Sequence, residues 1–150
     1  MMRNCLLALS MLACVSTPAF ADDTAGTVKR VSGTVEIERA AGRLKAEPGM
    51  SVQVADKVRT GADGAIGITL EDETLLSAGP NTVLDLERFR FNQTDHSGAM
   101  RINIRRGKLA VNTGKLAKAS PESVEFHTPD SILGVRGTEF VLDVEGKNAD

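Results

Sequence analysis

The chain has few of the residues on which many recognition and catalytic sites depend. It contains no tryptophan, no tyrosine, two histidines and two cysteines. Sites that stack nucleic-acid bases or sugars usually rely on Trp and Tyr rings, so both kinds of site are disfavoured. The formal net charge of −2 also argues against nucleic acid or an anionic membrane surface as the main partner.

The N-terminal segment has the pattern of a secretory signal peptide. A short basic start precedes an apolar run at residues 5–15 that is too short to span a membrane. Pro18-Ala19-Phe20-Ala21 then supplies a cleavage site. We therefore predict that residues 1–21 are removed near Ala21 and that the mature chain is periplasmic or secreted.

Both cysteines, Cys5 and Cys14, lie in this leader. Cleavage near Ala21 would leave a mature chain without disulfides in an oxidising compartment, so its fold must depend on its core. An alternative is lipoprotein processing at Cys14, because residues 11–14 loosely resemble a lipoprotein cleavage box. No later apolar stretch is long enough to cross a bilayer, so we expect no membrane insertion of the mature chain.

Apolar and polar residues alternate in nearly every apolar cluster after residue 22. Alternation with a period of two places one set of side chains on each face of a half-buried strand. The apolar residues in this pattern are Val35, Ile37, Val52, Val54, Ile66, Ile68, Leu70, Leu84, Leu86, Ile102, Ile104, Leu109, Val111, Val124, Phe126, Phe140, Leu142 and Val144.

Turn residues separate these clusters at short intervals. They lie at 41–42, 48–49, 61–64, 78–81, 97–98, 106–107 and 114–115. This rhythm predicts an all-β fold, either an antiparallel β-sandwich or a solenoid-like stack of short strands. No low-complexity linker divides the chain, so we expect one domain at residues 22–150.

The titratable residues give little support for catalysis or metal binding. His96 lies in a polar loop and His127 on the polar side of its strand, so we predict that both are solvated. An Asp95–His96 metal-ligand pair and a calcium site at the acidic triplet 71–73 are less favoured alternatives. The triplet is interpreted as a solvated turn, and we expect no cofactor.

Basic residues cluster around one predicted hairpin. Such a strand face could dock an acidic partner or an anionic ligand, although a solvated face is the favoured interpretation. The cluster consists of Arg88, Arg90, Arg101, Arg105, Arg106 and Lys108.

The most informative segment runs from Phe126 to Val144. Two strand patterns flank a corner, and Gly134 and Gly137 are expected to shape it if their φ angles are positive. Thr128-Pro129 followed by residues 134–141 (Gly-Val-Arg-Gly-Thr-Glu-Phe-Val) resembles the "TP…VRGT-x-F-x-V" signature of FecR-type domains.

Upstream stretches resemble the same family. They are Gly33-Thr34-Val35, Pro48-Gly49, the "D-x-V-x-T-G" stretch Asp56-Lys57-Val58-Arg59-Thr60-Gly61, and the strand pair and turn at residues 66–84. The resemblance covers residues 27–145. It implies an all-β, periplasmic, non-enzymatic module, which in full-length members is the C-terminal part of a sigma-factor regulator.

Those full-length regulators carry a cytoplasmic anti-sigma domain and a membrane helix, and they sense an outer-membrane siderophore transporter. Here the predicted leader stands in place of both segments. We therefore do not expect this chain to contact a sigma factor or to inherit transmembrane iron signalling. Family members also often continue with another strand pair, so the strand at residues 138–144 is expected to lack a neighbour and to favour strand addition.

We expect a non-enzymatic periplasmic module that binds a protein of the cell envelope. A small-ligand sensor or carrier using the loops at residues 92–98 and 128–136 is the alternative, and an enzyme is the least favoured. The candidate binding residues are Arg101, Arg105, Arg106, His127 and Arg136. The structural motif comprises Thr128, Pro129, Gly134, Arg136, Gly137, Thr138 and Phe140.

Overall fold

The computed structural model describes residues 23–136 and 139–146. The predicted leader, with Cys5, Cys14 and Ala21, lies outside the described residues, as do Gly137 and Thr138 of the motif. No helix among the described residues is long and apolar enough to cross a membrane.

Strands dominate the described chain, so the predicted all-β fold class is confirmed. A short helix, α1 (Lys115–Ala119), and a 3₁₀ turn (Pro121–Ser123) connect the ninth strand to the tenth. The strands are β1 (Thr24–Ser32), β2 (Val35–Arg39), β3 (Gly42–Lys45), β4 (Ser51–Gln53), β5 (Lys57–Thr60), β6 (Ala65–Leu70), β7 (Leu75–Ala78), β8 (Val83–Phe91), β9 (Gly98–Asn112), β10 (Val124–Thr128), β11 (Ser131–Gly134) and β12 (Glu139–Val144).

One twelve-stranded sheet curls into two halves. The first half has the order β4-β1-β6-β7-β9-β12, and the second has the order β3-β2-β5-β8-β9-β10-β11. Buried side chains from both halves form one core cluster, as in a β-sandwich. The described strand pairs are antiparallel except for β9 with β10.

The long strand β9 belongs to both halves, and Gly107 permits its passage between them. Before Gly107 the even-numbered residues from Met100 to Ile104 are buried, whereas after it Leu109 and Val111 are buried. Gly107 has a φ of 94°, and a Cβ there would lie 2.5 Å from the Cα of Thr82. Glycine is therefore needed where the strand changes parity. The turn predicted at this point is wrong, because β9 continues through it.

The alternating pattern predicts the core correctly. Ile37, Ile102 and Phe126 have no exposed surface. Phe140 and Leu142 are only partly buried and pack against the core from its margin. Burial of such side chains supplies most of the favourable free energy of folding. The described residues include no cysteine, so no disulfide among them adds to it.

The "D-x-V-x-T-G" stretch has a structural role in the described fold. The hydroxyl of Thr60 donates a hydrogen bond to the carbonyl of Gly79 at 2.6 Å and accepts one from the N–H of Thr82 at 2.8 Å. Asp56 is 1% exposed and also fully hydrogen-bonded at its carboxylate. Satisfied buried polar groups of this kind fix loop geometry.

Candidate functional site

The predicted basic face on β9 is largely neutralised by ion pairs. Arg101 Nη2 lies 3.0 Å from Glu125 Oε2, and Arg105 Nε lies 2.7 Å from Asp85 Oδ2. Both pairs lie on the outward side of the sheet, because the inward positions of β9 carry apolar residues. These two arginines therefore offer little unpaired positive charge to an acidic partner.

His127 joins the same cluster because β10 lies beside β9. Its Nε2 atom is 2.9 Å from Glu125 Oε2, and its side chain is 22% exposed. His127 is therefore on the polar side of its strand, as predicted, but it is only partly exposed and contacts Glu125. Its hydrogen bond with Glu125 and, secondarily, that of Arg101 hold the pKa of Glu125 below the ordinary value of 4.5.

Arg106 is set apart from this cluster. It is exposed, and it lines a groove of about 410 Å³ with Arg59, Pro129, Asp130 and Glu145 among others. Two carboxylates therefore share the groove with the arginines. The lining can offer both donors and acceptors to a small polar ligand.

The two segments considered for a small ligand lie on different strands. The loop at residues 92–98 precedes β9, whereas β10 runs parallel to β9 with His127 beside Asn103. The turn that follows β10 therefore lies near Arg105, roughly 20 Å from the first loop at the rise of an extended strand. The rest of the segment at residues 128–136 runs back along β10 as β11, which brings Gly134 level with Glu125 and Arg101.

The loop at residues 92–98 closes on itself. The N–H of His96 donates to the carbonyl of Asn92 at 2.8 Å, and the hydroxyl of Ser97 donates to Asp95 at 2.6 Å. The ring of His96 stacks on Phe91 with centroids 5.9 Å apart. Hydrogen bonds with Ser97 hold the pKa of Asp95 below its ordinary value. Asp95 and His96, the less favoured metal-ligand pair, thus each make contacts within the loop or with its flanking strand.

The acidic triplet forms the predicted turn with Glu71 and Glu73 exposed, but the prediction of a solvated side chain is wrong for Asp72. Asp72 has no exposed surface, and its carboxylate accepts hydrogen bonds from the hydroxyl of Thr74 at 2.7 Å and the N–H of Leu116 at 3.4 Å. The carboxylate thus ties the β6–β7 turn to the start of α1. Across the described chain, no cluster of three or more His, Cys, Asp or Glu residues could hold a metal ion.

Strand β12 has one neighbour among the described residues, so the lack of a neighbour predicted from the sequence applies to its other side. Residues 139–144 pair antiparallel with residues 107–112 of β9. Among the described residues, β9 is the only strand with which β12 pairs. The opposite side of β12, here called the outer edge, presents backbone groups with no described partner strand.

A shallow groove follows the outer edge. It has a volume of about 310 Å³ and is lined by residues 133–136 and 139–142. Val141, in the middle of β12, is 66% exposed. We call this surface the edge groove.

The motif residues occupy different parts of this region. Thr128 donates through its hydroxyl to the carbonyl of Ser131 at 3.3 Å and closes the β10–β11 turn, which contains Pro129. Phe140 contacts the buried Phe126 edge-to-face, with centroids 5.1 Å apart. Arg136 lines the edge groove and is exposed.

Gly134 does not shape the corner in the predicted way. Its φ is not positive, and a Cβ added there would meet nothing within 4 Å. The predicted strand–corner–strand also contains one more strand, since residues 131–134 form β11 and pair with β10. Sequence reasoning missed this strand because four residues ending in glycine show no alternation.

The described chain is an all-β domain whose two sheet halves share one core, and four of its strands, β3, β4, β11 and β12, pair with a single neighbour. A family model described as FecR protein matches residues 56–150, and the chain belongs to that family. The FecR family is regulatory and non-enzymatic. Its domains are periplasmic and take part in envelope signalling and sensing, with envelope proteins as their general interaction partners. No curated protein and no solved structure matches the chain.

Proposed function

We propose that this protein is a non-enzymatic periplasmic module that binds a protein of the cell envelope through the outer edge of β12. Residues 22–150 would form one secreted domain after cleavage near Ala21. The observation that carries the proposal is the pairing of β12 on one side only among the described residues. An unpaired edge offers a row of N–H and C=O groups to an added strand.

The composition of β12 supports a binding role for this edge. Soluble proteins usually protect such an edge with very short strands, charged side chains (especially lysine), proline or a β-bulge, and of these β12 has the charged Glu139 and Asp143. β12 spans residues Glu139–Val144, contains neither lysine nor proline, and pairs with β9 in unbroken register. Its central side chain, Val141, is exposed and apolar.

The basic face contributes less to this proposal than the sequence predicted. Arg101 and Arg105 are engaged with Glu125 and Asp85, so their replacement should change local stability more than partner binding. Arg136 lies in the edge groove itself and remains a candidate contact. His127 faces the outside of the other sheet half and is not part of the edge groove.

Affinity capture from envelope extract tests the proposal. The mature protein and the variant Val141→Lys would be compared with the control variant Leu75→Lys, since Leu75 is 47% exposed on β7, which has neighbours on both sides. We expect loss of the captured protein with Val141→Lys and retention with Leu75→Lys. Equal capture by both variants would show that binding does not use this edge.

The groove beside Arg106 supports a second candidate function. Its volume of about 410 Å³ and its lining by Arg59, Arg106 and Asp130 suit a small polar ligand. A ligand that binds the folded state raises the melting temperature by mass action. A thermal-shift screen of small anions would test this, with Arg106→Ala expected to abolish any shift.

Mass spectrometry tests the proposed processing. A mature N-terminus at Asp22 is expected for cleavage after Ala21. An acylated N-terminal Cys14 would instead identify a lipoprotein.

A further inference from the structure

The edge groove lies between two strands that each end a half of the sheet. β11 is the terminal strand of one half and β12 that of the other, and within the described residues each pairs with a single strand. Residues 133–136 line one side of the groove and residues 139–142 the other. An extended segment placed along β12 would therefore lie against β11 as well.

Exposed apolar side chains are concentrated here. Val141 is 66% exposed and Leu133 is 36% exposed within the edge groove, and the adjoining Ile132 is 69% exposed. The described chain has five exposed large hydrophobic residues, and the other two, Leu44 and Leu75, lie on β3 and β7. The groove and the adjoining Ile132 thus hold three of these five side chains, and a bound segment would cover part of this apolar surface.

The outward side chains of β12 and the next residue are mostly acidic. Glu139, Val141, Asp143 and Glu145 are exposed, whereas the intervening Phe140, Leu142 and Val144 are partly buried against the core. Asp143 pairs with Lys108 at 3.4 Å on the β9 side, where both side chains are more than half exposed. Arg136 is the cation at the other end of the groove.

This pattern disfavours a second copy of β12 as the occupant. In an antiparallel pair, residues directly opposite each other point to the same face of the sheet. A two-fold axis at Val141 would place Glu139 opposite Asp143 of the other copy. An axis at Leu142 would place Glu139 opposite Glu145. Like charges directly opposite each other are destabilising, so both symmetric registers are unfavourable.

We propose that the edge groove binds an extended segment of a partner protein in which apolar residues alternate with lysine or arginine. The apolar residues of that segment lie beside Phe140 and Leu142 on the core side. Its basic residues lie beside Glu139 and Asp143 on the outward side. The inference rests on the proposed function, since it identifies the chemistry of the strand that the outer edge receives.

Synthetic peptides test this chemistry directly. One short peptide alternates valine with lysine, and the other alternates valine with glutamate. Fluorescence anisotropy would measure the affinity of each peptide for the folded mature protein. The lysine peptide can form two pairs of opposite charge with Glu139 and Asp143, whereas the glutamate peptide would form two like-charge pairs there. We therefore expect the Kd of the lysine peptide to be lower by about tenfold. A scrambled lysine peptide of the same composition measures nonspecific electrostatic attraction and should bind more weakly.

Charge-reversal variants identify the surface used. Glu139→Lys/Asp143→Lys should reverse the preference, so that the glutamate peptide binds more tightly. Glu47→Lys is the matched control, because Glu47 is exposed at the turn between β3 and β4. Circular dichroism and thermal unfolding would verify that each variant is folded before its binding is compared.

The outcomes separate this inference from the proposed function. Equal affinity for the lysine and glutamate peptides, with amide protection gained at residues 139–144, would overturn the charge preference and leave the edge as a binding site. Failure of every peptide to bind, together with equal capture by the Val141→Lys and Leu75→Lys variants, would overturn both. Concentration-dependent dimerisation that protects residues 139–144 would overturn the inference by identifying a second copy as the occupant.

Discussion

Asp56 accepts two hydrogen bonds from the guanidinium of Arg39, at 2.8 Å from Nε to Oδ1 and 3.0 Å from Nη2 to Oδ2. The Asp56 side chain is 2% exposed and that of Arg39 is 20% exposed. The same Nη2 donates to the carbonyl of Ser51 at 2.6 Å. The arginine therefore links the end of β2 to the turn between β4 and β5 through a bidentate pair.

Removal of this arginine should destabilise the protein strongly. Arg39→Ala leaves the buried carboxylate of Asp56 without its cation, and breaking a buried pair in this way costs about 3–5 kcal/mol of unfolding free energy. Arg43→Ala is the control, because the Arg43 side chain is 60% exposed and its pairing with Glu38 is worth about 0–1 kcal/mol. Urea unfolding measures both, and similar losses would contradict the structural role of Asp56.

The sequence pattern predicted the core of this fold because the buried positions of a strand carry apolar residues at every second position. Ile37, Ile102 and Phe126 are each at apolar positions of a period-two pattern, and all are fully buried. The roles of Asp72 and His127 could not be predicted from this pattern. Their burial depends on α1 and on the parallel docking of β10, both set by residues distant in sequence. Long-range pairing of this kind is not encoded in local alternation.

Gly134 and Gly107 show the same limit of prediction from local sequence. Gly134 belongs to the FecR-like motif, yet its backbone conformation is open to any residue and its surroundings leave space. Gly107 lies in an unremarkable Arg-Gly-Lys sequence, yet its φ of 94° and the contact with Thr82 require the absence of a Cβ. Motif membership therefore did not identify which glycine the fold depends on.

Alanine substitutions should separate these two glycines. Gly107→Ala combines an unfavourable φ with steric overlap at Thr82, so we expect a loss of about 1–3 kcal/mol or more. Gly134→Ala should change the stability by no more than about 0.5 kcal/mol, because neither cost applies. Thermal unfolding with a matched heating rate compares them, and a larger loss for Gly134→Ala would refute the assignment.

Alanine substitutions should show that the buried Asp72 contributes more to stability than its exposed neighbour Glu71. Asp72→Ala leaves the N–H groups of Thr74 and Leu116 without their acceptor, which costs about 1–3 kcal/mol. Glu71 is exposed, and Glu71→Ala should have little effect. Addition of calcium to the unmodified protein is expected to leave the melting temperature unchanged. A calcium-dependent increase would reinstate the metal interpretation of the triplet.

The Arg101–Glu125–His127 cluster predicts a specific dependence of stability on pH. The folded-state pKa of Glu125 lies below the ordinary value of 4.5, so its contribution is fully present above that value and is lost as the pH falls through the lower folded pKa. The melting-temperature difference between the unmodified protein and Glu125→Gln should therefore be largest above about pH 4.5. It should shrink in more acidic solution.

A control and a direct titration complete this test. Glu47→Gln removes an exposed carboxylate and should give a difference that varies much less over the same range. An NMR titration of the Glu125 side chain should give a midpoint below 4.5. A midpoint at or above that value would show that the contacts with His127 and Arg101 do not persist in solution.

The amides of β12 provide the most direct view of the open edge. In an antiparallel pair, alternate residues direct their N–H groups toward the neighbouring strand, while the others direct them away. Hydrogen exchange in the monomeric protein should therefore show alternating protection along residues 139–144. On β7, which lies between β6 and β9, all amides of residues 75–78 have a strand on their side and should exchange slowly. Uniform protection of β12 in the monomer would mean that its outer edge is already covered, and strand addition there would then require displacement of that cover.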